Sequence, residues 1–138
     1  AERGLTLATS ESLTGGLLGA TLTALPGASR YYVGGVVVYA TEQKARLGGV
    51  NPQVLSTHGV ISEQTAVEMV MGVQRLTGAD YALSASGVAG SASVSNVQTR
   101  PTVKVALPQA SAPAPVSFLV MVSAECCMAG CLAFWKFP

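Results

Sequence analysis

The sequence predicts an α/β sandwich with a largely parallel sheet. Short β-branched, apolar runs recur through the first 90 residues, and stretches of helical period separate them. Their order (strand, helix, strand, helices, strand) is that of crossover-linked parallel strands. At 138 residues the chain is expected to form one domain, residues 1–138, with its own core.

"GLTLATS" is a Thr-rich apolar run suited to a buried strand. In "TGGLLGATLTAL", Leu17, Leu18, Leu22 and Leu25 fall near helical spacing, and Pro26-Gly27 stops the helix. "GGVVVYA" reads as a second strand, apolar on both faces and so expected to be covered on both sides. "TEQKARLG" is a short helix with Thr41 as its expected N-cap and Gly48 past its end. "NPQVLSTHG" is another short helical piece, and His58 reads as a helix end rather than a catalyst. "SEQTAVEMVMGVQRLTG" is the clearest helix: Ser62 caps it, Glu63 suits its positive end, and Ala66, Val70 and Val73 share a face. "DYALSAS" is a third strand, while "TVKVAL" and "VSFLVMVS" suggest a fourth and a fifth.

Charge is unevenly spread. Residues 1–90 hold 11 of the 15 charged side chains, and from Val105 onward only Glu125 and Lys136 are charged. With a net charge of +1 and no basic block, nucleic acid is not an expected partner. The three cysteines, Cys126, Cys127 and Cys131, make a poor disulfide framework, and the one histidine, His58, is far from them; no metal site is expected. The first part reads as a reduced, cytoplasmic protein without a signal peptide; the missing initial Met suggests a trimmed chain. Residues 116–134 are long enough to span a membrane, but Glu125 at their middle costs about 2.5–3.5 kcal/mol, so a membrane is not expected.

Three stretches carry candidate chemistry. "SESLTGG" joins a buried strand to a helix: either Ser12 or Thr14 caps that helix and the glycines are loop, or Ser12 is a nucleophile beside backbone amides that Gly15 and Gly16 leave open to an anion. In "VVYATEQK", a Thr41 cap puts Lys44 at the third helical position, where the helix dipole disfavours its charged form. Lys44 is then either a general base or a solvated lysine beside Glu42, and Tyr39 either packs or donates a hydroxyl. "SASGVAGS" places Ser86 in the same strand-end setting, and open α/β sheets bind ligands at the carboxyl ends of their strands.

These residues resemble a known family, the CinA C-terminal domain, the nicotinamide-nucleotide amidases. "ATSESLTGG" is similar to its A-T-A-E-S-x-T-G-G signature, and "PGASRYYVGGVVVYATEQKARLGGV" to its P-G-(A/S)-S…G-x-V-x-Y-(S/A)-N-E-x-K…L-G-V stretch. "LSTHGVISEQTAVEM" resembles L-x-x-H-G-A-V-S-E-x-x-A-x-x-M, and "ASGVAG" resembles (S/T)-G-I-A-G-P. The likeness covers residues 1–107 and implies a three-layer α/β/α sandwich with a mixed, mostly parallel sheet. It implies hydrolysis of the carboxamide of nicotinamide mononucleotide to nicotinate mononucleotide and ammonia, without cofactor or metal. Ser12, Lys44 and Tyr39 would be catalytic, with Ser12 the nucleophile and Lys44 its base. Glu11, Thr14, Gly15, Gly16, Ser86, Gly87 and Gly90 would bind the substrate. The partner implied is a small-molecule nucleotide, and a homo-oligomer is expected.

The chain departs from the family after Gly90, where Ser91-Ala92-Ser93 stands for a Pro- and Gly-rich loop. Residues 108–138 are atypical: no arginine follows Arg100, whereas the family ends in F-x-G-D-R and a charged helix. "SFLVMVSAE" can be encoded so that a shifted frame reads F-L-G-D-G-E-R, which makes a frame change the expected cause. The alternative function is a catalytically impaired nucleotide-binding or structural domain.

Overall fold

Three parallel strands form one side of the sheet: β1 (Leu7–Glu11), flanked by β2 (Tyr32–Val37) on one side and β3 (Tyr81–Ser86) on the other. The computed structural model describes residues 2–87 and the strand backbones at 102–106 and 120–121. β4 (Thr102–Ala106) joins β3 antiparallel, and the two-residue β5 (Val120–Met121) joins β4 antiparallel, giving the order β2-β1-β3-β4-β5. The sheet is therefore mixed, with its parallel part where the sequence placed it.

Helices lie on both faces. The alternation of a strand sends Ala8 and Ser10 to one side of β1 and Thr9 and Glu11 to the other. Ala8 and Ala82 pack on Val70 and Val73 of α4 (Glu63–Thr77), the long helix that Ser62 caps by accepting from the Thr65 N–H. Thr9 and Glu11 face α1 (Leu17–Thr23) instead. The result is the three-layer α/β/α arrangement.

On the α4 face the chain runs through α2 (Thr41–Arg46) and α3 (Pro52–His58), and His58 is an exposed last helical residue. Val38, Val50 and Met69 form a second buried cluster there. α4 meets the loop after α2 at backbone distance: a Cβ on Gly72 would lie 1.8 Å from the Gly48 carbonyl oxygen, so only glycine lets the two approach. The Arg75 guanidinium donates to the Gly49 carbonyl, and the Val50 N–H donates back to the Lys44 carbonyl. These contacts hold α2 at a fixed depth on the sheet.

Several boundaries differ from expectation. α1 ends at Thr23, two residues short of the expected Leu25, and a 3₁₀ turn over Ala28–Arg30 then leads to β2. α1 buries no residue fully, and Leu17 and Leu25 stay exposed. β2 is an edge strand: Val33 and Val37 are half exposed, so the expected cover on both faces is absent from this strand. A register shift between Leu7 and Ala8 bulges β2 and turns Tyr32 onto the α1 face, where its hydroxyl meets Thr9 Oγ1 at 2.7 Å. Thr41 is the first helical residue of α2 rather than its cap, which is Ala40.

No helix among the described residues is long and apolar enough to cross a membrane. Gly90, the loop after it, the three cysteines and, apart from β5, the 116–134 stretch lie outside the described residues.

Candidate active site

β1 and β2 send their carboxyl-terminal continuations to opposite faces of the sheet, β1 into α1 and β2 into α2. Such a divergence opens a crevice at the strand ends, the usual ligand position in an open α/β sheet. Ser12 follows β1 directly, its N–H bonded to the Ala85 carbonyl, so it stays in the sheet plane and its side chain falls on the α4 face. Lys44 reaches the same place from α2.

Lys44 Nζ donates to Ser12 Oγ at 2.7 Å, and both residues are buried, at 3% and 6% exposure. The other polar neighbour of the amine is Met69 Sδ at 3.9 Å. Among the described residues no carboxylate pairs with it. Burial lowers the Lys44 pKa from the ordinary 10.5, because water is removed from the charged form and nothing replaces it. The expected direction holds for a different cause: Lys44 sits one position later in α2 than expected, and loss of solvent, not the helix dipole, moves its pKa. With the amine neutral, the same contact runs with the Ser12 hydroxyl donating to the nitrogen lone pair, the arrangement that makes a serine nucleophilic.

The glycine turn is used differently from the expectation. Glu11, only 2% exposed, lies across the sheet from Lys44. Its Oε2 accepts from Thr14 Oγ1 at 2.7 Å, from the Gly16 N–H at 3.1 Å and from the Leu18 N–H at 2.9 Å; its Oε1 accepts from the Gly19 N–H at 2.8 Å. The Gly15 N–H goes to the Ser12 carbonyl. The amides expected to cradle an anion are therefore spent on the protein's own carboxylate. Glu11, Thr14, Gly15 and Gly16 shape the turn that follows Ser12 rather than line an open anion site. The Gly16 φ of 109° explains the glycine: the turn needs a left-handed backbone there.

Ser86 is buried on the same face as Ser12, but its hydroxyl donates to the Val60 carbonyl at 3.4 Å and makes no hydrogen bond to Ser12 or Lys44. Gly87 follows it, half-buried. Tyr39 points away from the pair: it is 69% exposed, and its hydroxyl has no hydrogen-bond partner among the described residues. A catalytic hydroxyl from Tyr39 does not fit this arrangement, since a residue just past a strand end, alternating against the buried Val38, is turned outward.

Two residues near the pair escaped the sequence reading. Met69 closes the motif that "LSTHGVISEQTAVEM" resembles, but it was given no role and was not among the residues assigned to the helix face. Ser10, fully buried one step below Ser12 on the same face, has an Oγ without any partner among the described residues. The family signature has alanine at that place, a signal that the site is apolar.

A buried serine–lysine pair at the ends of the parallel strands of a mixed α/β sheet defines the class: an α/β domain with a candidate nucleophile–base site. The chain belongs to the CinA C-terminal domain family, whose model matches residues 1–117, ten residues further than the motifs alone suggested. It is 48% identical over 88 residues to a CinA-like protein of Chloroherpeton thalassium, covering 64% of this chain and 21% of that protein. It is 51% identical over 85 residues to a CinA-like protein of Desulforapulum autotrophicum, covering 62% and 20%. The chain thus spans about a fifth of the length of the curated relatives it matches. The crystal structure of competence/damage inducible protein CihA from Agrobacterium tumefaciens is similar with a TM-score of 0.79 at 27% identity, over 89% of this chain and 74% of that one. Competence damage-inducible protein A (ComA) from Klebsiella pneumoniae is similar with a TM-score of 0.78 at 27% identity, over 98% and 91%.

Proposed function

We propose that the chain is an amidohydrolase that converts the carboxamide of nicotinamide mononucleotide to the acid and ammonia. One observation carries the reading: Lys44 Nζ lies 2.7 Å from Ser12 Oγ, both buried, with no carboxylate among the described residues to hold the amine charged. Ser12 Oγ attacks the carboxamide carbon while Lys44 takes its proton. Lys44 then hands that proton to the departing nitrogen, so the C–N bond breaks as ammonia leaves and an acyl-serine forms. Water, deprotonated by the same amine, cleaves the ester and regenerates Ser12. The nucleophile and the base both come from the chain, so the steps as written use no metal or cofactor.

The Gly16, Leu18 and Gly19 amides are engaged by Glu11, but the Leu13 and Thr14 N–H groups, next after Ser12, donate to no group among the described residues. They are the donors left for the developing oxyanion, in the position that follows the nucleophile in other serine hydrolases. Tyr39, exposed and without a hydrogen-bond partner among the described residues, takes no part in these steps. Residues 1–138 are read as one domain acting in the cytoplasm as a homo-oligomer.

Ammonia release from nicotinamide mononucleotide tests the reaction. Release by the chain, abolished in Ser12→Ala with the fold unchanged, supports it; full activity in that variant removes Ser12 from the nucleophile's place. A second reading rests on the absence of any arginine after Arg100: a nucleotide-binding or structural domain without turnover. Thermal stabilisation by the mononucleotide without ammonia release favours that one.

A further inference from the structure

We propose that Met69 is a positioning residue for Lys44, its thioether orienting the amine while being too weak an acceptor to hold it as an ammonium. The inference rests on the base role assigned to Lys44 above. Met69 is fully buried in α4, wedged with Val38 and Val50 under the end of the sheet, and its Sδ is the second polar contact of Nζ, at 3.9 Å. An ammonium has three N–H groups to satisfy. Here it finds Ser12 Oγ and a soft sulfur. A thioether accepts weakly but packs well and fixes the end of a long side chain. A carbonyl or carboxylate at the same place would give the charged form a strong partner and leave the base protonated.

The surrounding charges leave this role to Met69. On α2, Glu42 and Arg46 are exposed. On α4, Glu68 accepts from the Asn51 N–H and Arg75 donates to the Gly49 carbonyl. On β1, Glu11 faces α1 on the far side of the sheet. Tyr39, beyond β2, is exposed. None of these pairs with Nζ.

The test is a direct titration of Lys44 by NMR. The chain has only three lysines, Lys44, Lys104 and Lys136, so protein labelled with ¹³C at lysine Cε gives three signals, and Lys44→Arg identifies one by its loss. In Met69→Gln, whose amide oxygen is a strong acceptor, the Lys44 midpoint should rise by about one pH unit. In Met69→Leu, which keeps the volume and removes the sulfur, it should fall below that of the unsubstituted protein. The acid limb of ammonia release should move in the same order, which a purely structural role for Met69 does not produce. Coincident midpoints in all three proteins overturn the proposal. If Met69→Gln does not fold, Met69→Leu decides alone, and a midpoint unchanged from the unsubstituted protein overturns it. The titration needs no turnover: lack of ammonia release counts against the amidase reading, whereas an active enzyme with an unmoved midpoint counts against Met69 alone.

Discussion

Replacing Glu11 by Gln should destabilise the fold by about 3 kcal/mol, although the two side chains differ by one atom. The carboxylate accepts from Thr14 Oγ1, Gly16 N and Leu18 N through one oxygen and from Gly19 N through the other. A glutamine keeps one acceptor. In its better orientation the carbonyl faces the three-donor side, and each of those bonds loses its charge assistance, about 1 kcal/mol apiece. The amide NH₂ then opposes the Gly19 N–H, donor against donor, at a further cost of about 1–3 kcal/mol. Water reaches the half-buried turn and returns part of this, which brings the net to about 3 kcal/mol. Urea unfolding followed by circular dichroism measures it as a lower midpoint at unchanged slope. Glu11→Asp, one methylene short, should lose a comparable amount. A Glu11→Gln protein within about 0.5 kcal/mol of the original would refute the claim that this carboxylate organises the turn after Ser12.

Three further outcomes follow from the same packing. Ser10→Ala should stabilise the protein by about 1 kcal/mol in urea unfolding, because it removes a buried hydroxyl without a partner among the described residues; a loss of stability would mean that Ser10 Oγ has an acceptor after all. Lys44→Met should raise stability at neutral pH. The folded-state pKa of Lys44 lies below the unfolded 10.5, so the unfolded chain binds the extra proton between those values. The original protein therefore gains stability as pH rises through that window, and the variant does not; parallel stability–pH curves for the two contradict this. Gly72→Ala should cost about 3 kcal/mol and loosen α2, since the new Cβ meets the Gly48 carbonyl oxygen; unchanged urea midpoints would rule that contact out.

The architecture was legible because its signals are periodic and local. The run from Glu63 to Thr77 announces both its cap and its buried face, and the three parallel strands stand out as short, mostly uncharged runs between helical stretches. What was not legible depends on which neighbour a side chain meets. The exposed face of β2 follows from its edge position, which its apolar sequence does not encode. Ser12 and Lys44, 32 residues apart, could be brought together only by assuming that consecutive strand ends face one crevice, and that assumption held. Glu11 was assigned to the substrate only through the family resemblance; its place on the alternation of β1 turns it back onto the amides that follow, where it closes the turn itself. Tyr39 was misplaced for a different reason: two residues past the end of β2, it alternates with the buried Val38 and faces solvent.

In the proposed reaction Ser12 forms a covalent intermediate, and rapid-quench mass spectrometry of the intact protein mixed with nicotinamide mononucleotide examines that step directly. The mechanism predicts a transient adduct with the mass of the mononucleotide less ammonia, located on the peptide that contains Ser12 and absent from Ser12→Ala. Steady ammonia release with no adduct at any quench time, equally fast in Ser12→Ala, would contradict it.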